Sequence, residues 1–231
     1  LKTIRKASFL ESRIHRQGQG KLDSLSGHED YSMRNFILLL ASGLLISNLA
    51  ACVGINKARQ NSSIYDFGLS VSGESNQQIA SKITFEQPVA AESLNHNRIR
   101  YRLNYQDPLR VFFYADSRWA GTPSELISSK LRKMVNLTKN PTNCSLELKI
   151  EAFDHVFQTT TASEGFVQLS SILVEKKSRK VISTQLITER ATSASPNAQG
   201  GTAALRQASE NALKKVIQWG NMVADNSALC Q

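Results

Sequence analysis

Residues 98–135 read RIRYRLNYQDPLRVFFYADSRWAGTPSELISSKLRKMV, and the way the periodicity changes along them decides the fold class. Ile99, Tyr101 and Leu103 alternate with Arg98, Arg100 and Arg102. A period of two predicts a strand over Ile99 to Tyr105, its apolar side in a core and its arginines in water. Gln106-Asp107-Pro108 reads as a turn and Val111 to Tyr114 as the hairpin partner. The pattern then changes. Thr122-Pro123-Ser124-Glu125 has the spacing of a capping box, with proline at the first helical turn. Leu126, Ile127, Leu131, Met134 and Val135 follow at helical spacing, predicting a helix to about Asn136 with one buried face.

Working outward, three strand patterns follow, Ser145 to Gln158, Gly165 to Glu175 and Val181 to Arg190. Leu146, Leu148 and Ile150 alternate with Glu147, Lys149 and Glu151 in the first of them. The charged run Glu175 to Lys180 is expected as a solvated hairpin turn rather than a dedicated anionic-lipid patch. Ala191 to Gly201 has loop composition, and a last helix is expected over about Thr202 to Val223. Upstream, Ile64 to Val71 reads as a first strand and Ile79 to Gln87 as an extended segment stopped by Pro88. These elements predict an α+β, two-layer architecture: a mainly antiparallel sheet of five to six strands with two principal helices on one face.

The chain of 231 residues carries 28 Lys and Arg against 19 Asp and Glu. Seven of those bases and four of those acids fall in residues 1–51, so the remainder has a modest excess, and nucleic acid is not an expected partner. From Met33 and Arg34 the sequence enters Phe36 to Ala51 without a charged side chain, shorter than the ~20 apolar residues of a membrane span. It ends in Leu49-Ala50-Ala51-Cys52, which resembles the lipobox of bacterial lipoproteins. That resemblance implies cleavage between Ala51 and Cys52 and lipid attachment to Cys52. With Val at position 53, it also implies an outer-membrane protein facing the periplasm. The expected organisation is an upstream extension over 1–32, a lipoprotein signal peptide over 33–51, a tether over 52–63 and a single domain over 64–231.

Downstream of residue 51 only two histidines occur, His96 in a polar loop and His155 on a strand beside Asp154 and close to Glu151. Neighbouring strand positions face opposite ways, so Asp154 and His155 cannot both point inward without a bulge, and no nucleophile, base and orienting acid are grouped. No catalytic residue, metal site or cofactor is expected. Once Cys52 is taken by lipid, Cys144 and Cys230 remain, either bridged as an oxidising compartment permits or as two free thiols.

The run from Arg98 through Tyr114-Ala115, Arg118-Trp119-Ala120 and Pro123 into the helix resembles the central motif of the ABC-type transport auxiliary lipoprotein family. Tyr65-Asp66-Phe67-Gly68 is similar to that family's first strand, where Leu more often precedes the Gly. The resemblance implies a non-enzymatic periplasmic lipoprotein that accompanies an MCE-type lipid ABC transporter. Its implied partners are the transporter and MCE proteins, the membrane through the N-terminal lipid, and other copies of itself in a homo-oligomer. Two roles stand for Arg118, Trp119 and Pro123: packing at the strand-to-helix corner, or a docking surface. The rival function is an envelope enzyme or cell-wall synthesis regulator on the same anchor.

Overall fold

The chain divides at Ala58 into two units, and the computed structural model describes residues 62–69 and 78–231, all within the second, Arg59–Gln231. The expected upstream extension over 1–32, the expected signal peptide over 33–51, Cys52 and the expected tether up to residue 61 lie outside the described residues. The elements, in order, are β1 (Ser63–Tyr65), β2 (Ile79–Ser81), β3 (Thr84–Phe85), β4 (Val89–Ala90), a 3-10 turn (Glu92–Leu94), β5 (Arg98–Leu103) and β6 (Asp107–Trp119). They continue with α1 (Pro123–Met134), β7 (Val135–Leu137), β8 (Cys144–Phe157), β9 (Ser163–Glu175), β10 (Val181–Thr192) and α2 (Ala198–Asp225).

The main sheet runs β1-β6-β5-β8-β9-β10, with the short β3 and β4 added to β8. Pairing is antiparallel for β5–β6, β8–β9 and β9–β10 and parallel for β1–β6 and β5–β8, so the sheet is mixed with its long strands antiparallel. The predicted α+β architecture is the observed one; six strands form the path of the sheet, and the short β3 and β4 take it to eight, beyond the five to six expected. Leu146, Leu148 and Ile150 of β8 and Val167, Leu169 and Leu173 of β9 turn one face toward α2, where Leu205, Ala208, Leu213, Val216 and Ile217 meet them fully buried. Burying side chains of this size contributes roughly 1.5–3 kcal/mol each. Gly165 of β9 brings sheet and helix close, since a Cβ there would lie 2.4 Å from the Ala204 carbonyl carbon. Despite its 28 residues, α2 is amphipathic, and among the described residues no helix is long and apolar enough to cross a membrane.

Several expectations need correction, the first strand among them, since β1 ends at Tyr65 instead of running on from Ile64 toward Val71. The helix opened by Thr122 stops at Met134, because Val135 is extended (φ −95°, ψ 131°) and β7 pairs with β2 in a separate two-stranded sheet. Cross-strand pairing outweighs helical spacing at these last positions, where β-branched Val135 favours a strand. The second strand of the hairpin begins at Asp107, four residues earlier than expected, since a proline is tolerated at a strand's start. The last helix begins at Ala198 rather than near Thr202: Asn197 Oδ1 accepts from the Gly200 amide at 2.9 Å and caps it. Finally, Arg100 does not face water; it is 8% exposed and pairs with the buried Asp154.

Candidate functional site

The motif that carried the sequence resemblance folds into one corner. Trp119 ends β6, donating its amide to Asn97 O at 2.8 Å, and the Ala120 amide donates to Tyr65 O at 2.7 Å, which ties β1 to the same point. The turn into α1 is set by the capping box. The Thr122 amide donates to Glu125 Oε2 at 2.7 Å, and the Glu125 amide donates back to Thr122 Oγ1 at 3.4 Å. Trp119 is 1% exposed, its ring edge-on to Phe67 (6.0 Å between centroids) and tilted against Phe153 (5.5 Å). Its large apolar body therefore packs the core, with Pro123 buried beside it in sequence, and it presents no docking surface. Arg118 is exposed and donates Nε to Ser62 Oγ at 3.0 Å.

A second ensemble sits where β5, β6 and β8 meet. Asp154 and His155 are both buried, at 2% and 0% exposure, yet they face opposite sides of β8. They can do so because both faces are covered there. On one side the Asp154 carboxylate takes Arg100 Nε at 2.8 Å and Arg102 Nε at 3.4 Å. Arg100 Nη1 reaches on to Ser93 O at 3.3 Å, in the 3-10 turn that lies over it. One carboxylate thus holds two arginines of β5, a buried ionic cluster that the alternation of β5 had assigned to water.

On the other side His155 lies beneath the first turn of α2, so close that a Cβ on Gly201 would be 2.3 Å from His155 Nδ1. Tyr114 Oη and His155 Nδ1 are 2.8 Å apart, while His155 Nε2 is buried without a partner. With Tyr114 donating, Nδ1 accepts and the proton of the neutral ring is on Nε2. Burial pushes the His155 pKa down to about 4, and burial, with the neighbouring Tyr101, pushes the Tyr114 hydroxyl up. At neutral pH the pair is an uncharged tyrosine donating to an uncharged imidazole. Tyr101, which stacks on Phe112 at 5.2 Å, and Phe157, 4.4 Å from the His155 ring, complete an aromatic shelf around it.

Glu151 joins neither group; it pairs with Lys149 at 3.1 Å. Glu151, Asp154 and His155 are therefore not brought together, and among the described residues no group of three His, Cys, Asp or Glu is placed to hold a metal. Cys144 and Cys230 are bridged (Cα–Cα 5.1 Å), which fastens the chain's end to the start of β8. Beside α1 a surface groove of about 500 Å³ is lined by Phe85, Pro88, Leu131, Arg132, Val135 and Leu137. Within it Arg132 donates Nη1 to Ser128 Oγ at 2.7 Å.

Sequence reading missed Arg100, Arg102 and Tyr114 as partners of the Asp154–His155 step. The available signal was the composition of Ala152-Phe153-Asp154-His155-Val156-Phe157, where one acid among apolar residues calls for a buried cation.

No protein-family model matches the sequence, and no curated protein matches it. Among solved structures, the chain is similar to protein XCC0632 from Xanthomonas campestris, described under family model DUF330. The TM-score is 0.58 at 16% identity, over 71% of this chain and 98% of that one. An uncharacterized protein gives 0.50 at 11% identity, over 69% and 98%. Lipoprotein GNA1162 from Neisseria meningitidis reaches only 0.25 at 15% identity, over 58% and 97%, too loose a superposition to weigh. At these identities the likeness is one of architecture, and what it establishes is that this chain has the fold of the DUF330 protein XCC0632.

Proposed function

We propose that this chain is a lipid-anchored protein of the bacterial envelope. It stands on Cys52 facing the periplasm from the outer membrane, and serves as a non-enzymatic auxiliary component of an ABC-type, MCE-linked system that moves lipid or another hydrophobic molecule. The observation that carries the reading is where its motif falls. The residues from Arg98 to Met134 on which the resemblance rested belong to one hairpin, one capped corner and one helix, in a fold that spans nearly all of XCC0632. The Leu49-Ala50-Ala51-Cys52 sequence supports the anchor. The non-catalytic reading is supported by the separation of Asp154 and His155 onto opposite faces, and by a tyrosine and an imidazole that are both neutral at physiological pH. An anchored domain stays at one membrane, because each buried methylene contributes about 0.8 kcal/mol and two or more chains hold durably.

The test replaces Cys52 by Ala and follows lipid transport in cells that depend on the protein. The folded, unanchored variant should fail to restore transport, and the acylated form should co-purify with the transporter's permease or MCE subunits. Full restoration by the unanchored variant, or recovery without any transport component, would remove the proposal.

A further inference from the structure

The two edges of the main sheet are unlike. At one edge β1 pairs only with Ser117–Trp119 of β6, and the stretch of β6 it leaves open carries Asp107, Pro108, Arg110 and Asp116. At the other, β10 has twelve, and Ile182 to Thr188 within it contains no charge, glycine or proline. Sheet edges of this length are ordinarily protected by prolines, charges or bulges. The single irregularity of β10 lies at its far end, between Val181 and Ser183.

The direction of its free backbone groups follows from the ladder. The Ser193 amide donates to Ser163 O at 2.9 Å, and the register with β9 is unbroken from Ser183 to Thr192. Hydrogen-bonded positions of an antiparallel ladder recur every second residue, so the odd-numbered residues of β10 bond to β9. Thr184, Leu186, Thr188, Arg190 and Thr192 then turn their N–H and C=O groups outward. Consistently, Leu186 O accepts from the Gln185 side chain, at 3.3 Å. All five side chains are exposed, Leu186 at 56%.

We propose that two copies of this chain join along β10, antiparallel about a two-fold axis at Ile187, and continue one sheet through both. This register pairs outward residues with outward residues, as a ladder requires, setting Leu186 of each copy opposite Thr188 of the other. It also sorts the charges. Glu189 and Arg190 stand at one end of the neutral segment, so the two-fold places Glu189 opposite Gln185 and Arg190 opposite Thr184. A parallel arrangement would set like charges side by side, which destabilises a cross-strand pair. Centring the axis on Thr188 instead would set Glu189 against Ile187. A two-fold joins the β10 edges of both copies at once and leaves only the β6 edges, which carry proline and charge, so association closes at the dimer rather than running on as a fibre.

The test is sedimentation equilibrium of the full chain in detergent, with hydrogen exchange read residue by residue. A dimer is expected, with the amides of Thr184, Leu186, Thr188 and Arg190 gaining protection as protein concentration rises, while those of Gln185, Ile187 and Glu189 are protected throughout. Leu186→Lys should yield a monomer with unchanged circular dichroism, and adding Thr188→Glu to it should restore the dimer, because the two new charges face each other only in this register. A monomer at every concentration, or an oligomer indifferent to Leu186→Lys, overturns the proposal. Even-numbered protection independent of the chain's own concentration assigns the edge to a different ligand and overturns it equally.

Discussion

Replacing His155 by Gln removes a titrating group from a fully buried site, and the consequence for stability against pH can be worked from the structure. The native pKa of about 4 lies below the value near 6.5 that the imidazole has in the unfolded chain. Between those two values the unfolded state holds a proton that the native state refuses, so stability falls as the solution is acidified from 6.5 to 4. The slope is about 1.4 kcal/mol per pH unit, or roughly 3 kcal/mol across the window. Above pH 6.5 both states are neutral and the group contributes no slope. The physical cause is burial: Gly201 presses on the ring from α2, Tyr114 uses its Nδ1, and a proton added there would be a charge with no acid beside it. Urea denaturation of both proteins every half unit from pH 4 to 8 isolates this contribution, because the carboxylates and His96 contribute alike to each and cancel in the difference. The wild type should lose roughly 3 kcal/mol more on acidification than the His155→Gln variant does. Superimposable pH profiles, or an NMR titration that finds His155 protonating near 6.5 in the native state, would refute the reasoning.

The other predictions concern packing and pairing. Gly201→Ala places a methyl group inside the contact distance of the His155 ring and should destabilise by about 1–3 kcal/mol, read as a lowered urea midpoint. Asp154→Ala leaves Arg100 buried without its counter-charge and should cost about 3–5 kcal/mol, whereas Lys82→Ala, at an exposed pair with Asp225, should change stability by less than about 1 kcal/mol. A thiol titration under denaturing, non-reducing conditions should find Cys144 and Cys230 oxidised. Replacing both by Ser should cost about 4.5 kcal/mol in the chain-entropy view for a separation of 86 residues; two free thiols would contradict the bridge.

Legibility in the sequence followed the range of the forces involved. The capping box at Thr122, the turn at Glu175 and the alternation at the start of β8 are encoded by neighbours within a few residues, and they fold as read. In that turn, hydrogen bonds from Ser178 and from the Lys177 amide hold the Glu175 carboxyl below its usual range. What the sequence concealed depends on partners 41 and 54 residues away: Tyr114 on His155 and Arg100 on Asp154. Alternation states which residues share a face, but not whether that face is later covered. Arg98, Arg100 and Arg102 do share a face, and β5 lies in the middle of the sheet, where the 3-10 turn caps that face over Arg100 alone. The same limit explains Gly200 and Gly201. By composition they belong to a loop, yet Cβ atoms at those positions would meet Ser195 and His155, so the helix can approach only where side chains are missing. Glycine there trades helix propensity, roughly 1 kcal/mol each, for contact that no larger residue permits. The corner at Trp119 carries the complementary lesson, for a motif distinctive enough to suggest a family turns out to have its most recognisable residue in the core. Such a motif marks kinship of fold. A surface that meets a partner must be sought among residues the motif leaves exposed, Arg118 beside Ser62 and the open rungs of β10.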